Sequence, residues 1–264
     1  MKLLLVGCGH LGSALLHAWL ANEALQKIVV VQPSLSKAAM FKKDPVLTFV
    51  STLQEVPADF KPDMIVLAVK PQKLHLVAPE LSALVEENTL LVSFLAGVSV
   101  TKLATYIPQH AKTIRIIPNI ALKIGQSVNL TYTAHQLTHK ELEQIEVAFS
   151  SSGKIHWLAR EELIDLLTPM SGSGPAYFFL MAEILVQITI DCGIEENIAR
   201  NLIQQTFIGS AQLTHETNDF QALITAVASQ GGVTEAALHV LKPVLNDSMR
   251  QAVAAALIRI KELA

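Results

Sequence analysis

Gly7-Cys8-Gly9-His10-Leu11-Gly12 is the first stretch of this 264-residue sequence whose spacing implies chemistry. A G-x-G-x-x-G that follows a short apolar run and opens a helical pattern suits the pyrophosphate of a dinucleotide. Gly7 would make the tight turn, Gly9 would let the backbone approach the phosphates, and Gly12 would let the helix lie close to the strand. His10 and Leu11 share the loop, where free N–H groups and the positive end of the helix dipole would meet the anion. An ordinary glycine turn is the alternative; it does not account for the strand before the loop or the β-α alternation after it.

The type of dinucleotide turns on a residue about 20 positions further on, where NAD-binding versions carry Asp or Glu for the ribose hydroxyls. Here that position holds Gln32. No carboxylate would repel a 2′-phosphate, so NADPH is expected over NADH. Ser34, Ser36 and Lys37 are candidate phosphate donors. Ser34 as a helix cap and Lys37 as a solvated side chain remain the other reading. Ala68-Val69-Lys70 and Ala96-Gly97 follow the third and fourth strand signals, where doubly wound folds hold ligands.

A second constellation is Thr168-Pro169-Met170-Ser171-Gly172-Ser173-Gly174-Pro175-Ala176-Tyr177. A Ser/Gly run closed by proline at a helix start presents hydroxyls and backbone donors suited to a carboxylate. Such runs also serve as flexible connections. The histidines suggest no metal: His135 and His139 are four apart, but neither Cys nor carboxylate completes a ligand set. A serine hydrolase is disfavoured because Ser171 and Ser173 lie in no G-x-S-x-G elbow.

These groups need a scaffold. Apolar β-rich runs at residues 3–6, 28–31, 64–69, 90–94 and 113–117 alternate with helical patterns at 11–21, 35–42, 72–84 and 101–106, the signature of a doubly wound parallel sheet. A strand at 127–132, a helix at 138–151 and a strand at 154–157 extend it. Strand signals then stop, and helices are expected at 161–167, 175–192, 195–217, 220–228, 234–241 and 245–263, with Gly193 a stop signal. The expected organisation is therefore α/β: a Rossmann-like dinucleotide-binding domain over residues 1–158, then an all-α substrate and dimerisation domain over 159–264.

Composition narrows the class. Apolar residues form 51% and charged residues 16%, with a net charge of −3, which favours extensive buried interface and argues against nucleic acid. The helix from Pro175 is apolar nearly all round, which burial between subunits would explain. Its apolar run at 176–190 is shorter than a membrane span and holds Glu183 and Gln187, so no membrane partner is expected. Cys8 and Cys192 are far apart and offer no disulfide framework, and glycines interrupt the apolar start before a signal sequence develops. A cytoplasmic protein is expected.

Taken in order, the glycine loop, Val69-Lys70-Pro71-Gln72, Ala96-Gly97, Arg115-Ile116-Ile117-Pro118-Asn119 and the run from Ser171 to Tyr177 resemble the pyrroline-5-carboxylate reductase family over nearly the whole chain. Gln230-Gly231-Gly232-Val233-Thr234 adds to the likeness. The resemblance implies reduction of a small carboxylate-bearing cyclic imine to proline by NADPH, in a homodimer that assembles further in some members. It implies that Ser173 and Gly174 hold the substrate carboxylate, that Thr168 stands near the ring, and that Pro118 and Asn119 line the nicotinamide end. Two segments depart from the family. Ile120-Ala121 replaces Thr-Pro, and Ala228 and Val233 stand where the family has threonines. The rivals are another imine reductase, a β-hydroxyacid dehydrogenase and a nucleotide-binding homologue without turnover. The hydroxyacid class would usually supply a catalytic lysine, and none lies between Lys154 and Lys242.

Overall fold

The computed structural model describes residues 1–34, 41, 44–108 and 110–263. Its N-terminal part is an eight-stranded sheet: β1 (Lys2–Val6), β2 (Lys27–Val31), β3 (Leu47–Val50), β4 (Met64–Leu67), β5 (Leu90–Ser93), β6 (Lys112–Ile117), β7 (Ser127–Tyr132) and β8 (Gly153–Trp157). The spatial order is β3-β2-β1-β4-β5-β6-β7-β8. Strands β1 to β6 are parallel, β7 runs antiparallel to β6, and β8 is parallel to β7. This is the Rossmann-like order, and its direction reverses between β1 and β4, where such sheets open a ligand crevice.

The central strands are apolar without interruption because both faces are covered. Leu3 and Leu5 of β1 enter one core with Val66, Val92 and Ile116, while Leu4 and Val6 enter the other with Ile65, Leu67 and Leu91. Helix α1 (His10–Leu20) is held by Trp19, which is fully buried and donates its indole N–H to the Ala148 carbonyl at 2.7 Å. That carbonyl belongs to α4 (His139–Phe149), which is capped reciprocally by Thr138 and Glu141.

Helices α2 (Leu74–Leu81) and α3 (Val100–Ala104) follow β4 and β5. The expected helix at 72–84 is divided, with tighter 3-10 turns at Pro71–Lys73 and Ser82–Leu84. Strand β3 was not anticipated from the sequence; it is four residues long and, among the described residues, pairs only with β2. The helix expected at 35–42, and Ser36 and Lys37 with it, lies outside the described residues except for Phe41, whose ring stacks beside His17.

Helix α5 (Glu162–Ser171) runs four residues beyond the expected end at 167 and carries Pro169 inside it. It packs on the sheet, so the compact N-terminal unit extends to Ser173 and also takes in the chain from Ala256, whereas the sequence places the boundary at residue 158. The second unit, Gly174–Ala255, is wholly helical. It contains α6 (Gly174–Asp191), α7 (Glu196–Leu213), α8 (Phe220–Val227) and most of α9 (Val233–Leu263). Helix α6 stops at Gly193 as expected: φ is +88°, and the N–H groups of Gly193 and Ile194 reach back to Ile190 and Thr189. The two last helices expected from the sequence form one 31-residue helix with Pro243 inside.

Candidate functional site

The turn after β1 is shaped by three glycines that do different work. Gly7 has φ +98°, and a Cβ there would come within 2.8 Å of the Ala68 carbonyl, which sits in the loop after β4. Gly12 lies so close to the turn that a Cβ would meet the Gly7 oxygen at 2.3 Å. At Gly9, by contrast, a Cβ would find nothing within 4 Å. Two glycines close the backbone on itself and the middle one leaves space, the arrangement a diphosphate needs for access to the N–H groups opening α1. His10 is the exposed first residue of that helix, and Leu11 behind it packs on the core.

Gln32 stands just past β2, where its side-chain oxygen accepts a 2.7 Å hydrogen bond from the Cys8 N–H. The residue that would meet the ribose thus also braces the glycine loop. Ser34 is exposed two residues further on. Val69 packs beneath the loop after β4 and Lys70 is exposed at its rim, while Gly97, φ +72°, turns the chain after β5 beside Ala96.

The end of β6 leads to the second constellation. Pro118 and Asn119 are buried, and the Asn119 backbone N–H donates to Ser127 Oγ at 3.0 Å. Asn119 Oδ1 accepts from the Ala121 N–H at 3.0 Å, and Nδ2 donates to the Ser171 carbonyl at 3.2 Å, in the last turn of α5. Thr168 lies one turn earlier. Its hydroxyl donates to the Ile164 carbonyl at 2.7 Å, so its oxygen keeps lone pairs free to accept. Its carbonyl accepts from both Gly172 and Ser173 N–H, at 2.8 and 3.1 Å, which folds the chain into a tight turn. The Ser173 hydroxyl has no hydrogen-bond partner among the described residues. Gly174 is buried at the start of α6, with open space where a side chain would be.

A network that the sequence reading missed lies beneath this turn. Arg115 of β6 is 1% exposed and pairs with Glu161 at 3.1 Å and with Asp165. Glu161 also accepts the Val100 N–H at 2.7 Å, which ties the start of α3 to the start of α5. Two carboxylates four residues apart on one helix face were the available signal, because that spacing presents both to a single guanidinium.

The chain is 32% identical to pyrroline-5-carboxylate reductase of Haemophilus influenzae over 98% of its length, covering 96% of that protein. It belongs to the pyrroline-5-carboxylate reductase family. The Arabidopsis thaliana member is 29% identical, over 98% of this chain and 94% of the plant protein. Residues 161–263 match the family model described as pyrroline-5-carboxylate reductase dimerisation, and residues 2–97 match one described as NADP oxidoreductase, coenzyme F420-dependent. Among solved structures, pyrroline carboxylate reductase of Plasmodium falciparum with NADP bound is 27% identical, with a TM-score of 0.85 and coverage of 100% of this chain and 98% of that one. The Coxiella burnetii pyrroline-5-carboxylate reductase gives a TM-score of 0.87 at 26% identity, covering 99% and 98%.

The glycine turn fits the cofactor of the Plasmodium family member. It is closed at Gly7 and Gly12 and open at Gly9, and it has no acidic side chain at residue 32. The departures from the family pattern also have definite places. Ile120 is exposed on a 3-10 turn, Ala228 caps α8, and Val233 is 90% exposed at the start of α9. No group of three or more His, Cys, Asp or Glu side chains suited to a metal occurs among the described residues.

Proposed function

We propose that this chain reduces 1-pyrroline-5-carboxylate to L-proline with NADPH. The observation that carries the reading is the turn from Thr168 to Ser173: a carbonyl saturated by two backbone N–H groups, with the Ser173 hydroxyl left over to donate. It stands in a chain that is a full-length relative of the reductases. NADPH, when bound, supplies the hydride that the imine carbon receives. The chain's own task is then to bind, orient and exclude water, since a protonated imine is already electrophilic and needs no strong protein acid.

In this reading Gly7, Gly9, His10, Leu11 and Gly12 hold the pyrophosphate. Gln32 and Ser34 face the 2′-phosphate, Lys37, outside the described residues, is its further candidate donor by sequence alone, and Ala68, Val69, Lys70, Ala96 and Gly97 border the cofactor at the strand ends. Ser173 and Gly174 donate to the substrate carboxylate. The Thr168 oxygen, its own proton committed to Ile164, accepts from the iminium N–H. Pro118 and Asn119 border the nicotinamide end through their backbone. Residues 1–158 serve the cofactor and 159–264 serve substrate and self-association, with α5 contributing to both.

The apolar surface of the helical segment is assigned to a homodimer, and no membrane or nucleic-acid partner is proposed. By length and composition alone, residues 162–191 are apolar enough to cross a membrane. A protein interface is the better reading because Glu183 on α6 is paired with Arg200 of α7, and the segment matches a dimerisation family model. Neither cysteine forms a disulfide among the described residues, in keeping with a cytoplasmic setting.

The deciding experiment follows NADPH and NADH oxidation optically, with and without pyrroline-5-carboxylate, for the parent and Gln32→Glu. The expected outcome is imine-dependent turnover that favours NADPH. Glu at 32 can still accept from Cys8 N–H, so the loop stays braced while a charge is added near the 2′-phosphate. The preference should then move toward NADH by roughly 10- to 100-fold, the scale of an unfavourable close charge pair. NADPH binding without turnover would instead favour a non-catalytic homologue and give weight to the hydroxyls missing at Ala228 and Val233.

A further inference from the structure

Three alternate residues, two in β6 and one just past its end, all meet one helix. Arg115 engages Glu161 and Asp165 at the start of α5, Ile117 shares a small apolar cluster with Ile164, and Asn119 reaches the Ser171 carbonyl at its end. The cause is the strand period: residues two apart point to the same side. Ile114 and Ile116 point the other way into the main core. The strand face and the residue just past its end therefore form a rail that fixes α5 at its first turn, through Arg115 and Ile117, and at its last turn, through Asn119.

The two polar fixings are specific in different ways. Arg115 presents a planar fork to two carboxylates, which a lysine could not reproduce. Asn119 uses both ends of its amide, one as the cap for the Ala121 N–H and one as the clamp on Ser171. Any shift of α5 along its axis strains the part-buried Arg115 ion pairs or the part-buried hydrogen bond from Asn119 to the Ser171 carbonyl. The turn built on the Thr168 carbonyl moves with it.

We infer that Arg115 and Asn119 are positioning residues: they set where Thr168 and Ser173 stand relative to the end of β6, and so tune binding of the substrate carboxylate. This rests on the assignment of the Thr168 to Gly174 segment to that carboxylate. Neither side chain touches substrate in this account. They act through α5.

The test compares Asn119→Ser, Asp165→Asn and Ser173→Ala in the full-length protein. Serine at 119 can still cap Ala121 N–H but is too short to clamp Ser171. Asp165 is 38% exposed, so Asn at that position loosens the Arg115 pair with little risk to folding. Asn119→Ser should raise KM for the imine by roughly tenfold with kcat changed less, because small misplacements at a binding group cost that much or more. Asp165→Asn should shift KM in the same direction by less. NADPH affinity of Asp165→Asn, which lies outside the cofactor site, should stay within about twofold of the parent. Amide exchange at Gly172 and Ser173 should quicken in both variants, a change that a simple loss of active enzyme would not produce. If Ser173→Ala raises KM while the other two leave KM and exchange unchanged, the positioning role is wrong. If Ser173→Ala itself leaves KM unchanged, the carboxylate assignment fails and takes the inference with it.

Discussion

The sheet unit and the helical unit solve the burial problem in opposite ways. In β1, β4 and β5 nearly every side chain is buried within the chain, on two separate cores. In α6 only Gly174 and Val186 are buried, in α7 only Ala199, and in α8 and α9 none among the described residues. The exposed positions include Phe178, Phe179, Leu180, Ile184, Leu185 and Ile188 on α6 alone. Apolar patches this extensive are not tolerated on a free surface, so the helices await a protein partner while the sheet needs none. Cofactor binding thus belongs to a part that is complete in one chain, and self-association to a part that is not.

The comparison breaks first at Trp19. Trp19→Ala opens a cavity in the sheet core and leaves the Ala148 carbonyl unpaired, a loss of about 3–5 kcal/mol. Urea denaturation should show that loss, together with weakened NADPH binding. Equal stability in the parent and the variant would mean that the sheet core is not the main support of its own unit.

On the helical side the expected effect is of another kind. Leu180→Asp alters a residue that is 62% exposed in the single chain, and such a change at an ordinary surface site stays within about 0.5 kcal/mol. At an interface it buries an unpaired charge, and self-association should weaken by roughly 100-fold or more in sedimentation velocity. NADPH binding should persist. An unchanged oligomer would show that α6 is not the interface.

Most of this contrast was legible in the sequence, for a physical reason. Residues 7, 9 and 12 encode close backbone approaches, and uninterrupted apolar strands encode burial on both faces, so the glycine loop and central sheet follow from local pattern. What was not legible depended on distant partners. Leu47-Thr48-Phe49-Val50 is a short edge strand whose burial is partial, and only pairing with β2 defines it. Pro169 and Pro243 argue locally for helix ends, since each removes a backbone donor, yet both lie inside continuous helices. At α5 the Asn119 clamp and the Thr168 turn hold the segment that follows the proline. Arg115 looked like one more strand residue because its two carboxylate partners lie about 50 positions away.

The smallest expected effect asks whether polar contacts at the rim of the sheet unit add to its self-sufficiency. Glu141 has its carboxyl pKa shifted below the ordinary value: desolvation opposes the shift, but hydrogen bonds from Lys112 and Thr138 outweigh it. The Lys112 ammonium lies 2.7 Å from one carboxylate oxygen. A depressed folded pKa means that the unfolded chain takes up the proton first as pH falls. The stabilisation is therefore complete above the unfolded value of about 4.3 and disappears as pH drops through the lower folded value. Glu141→Gln keeps the reciprocal cap on α4, because glutamine can also reach the Thr138 N–H, and removes only the charge. At neutral pH the variant should be less stable by about 0.5 kcal/mol, as for other solvent-screened ion pairs, and the gap should narrow below about pH 4. Paired urea titrations across that range measure it. A gap that stays constant with pH would assign the contribution to packing of the glutamate stem rather than to its pairing with Lys112.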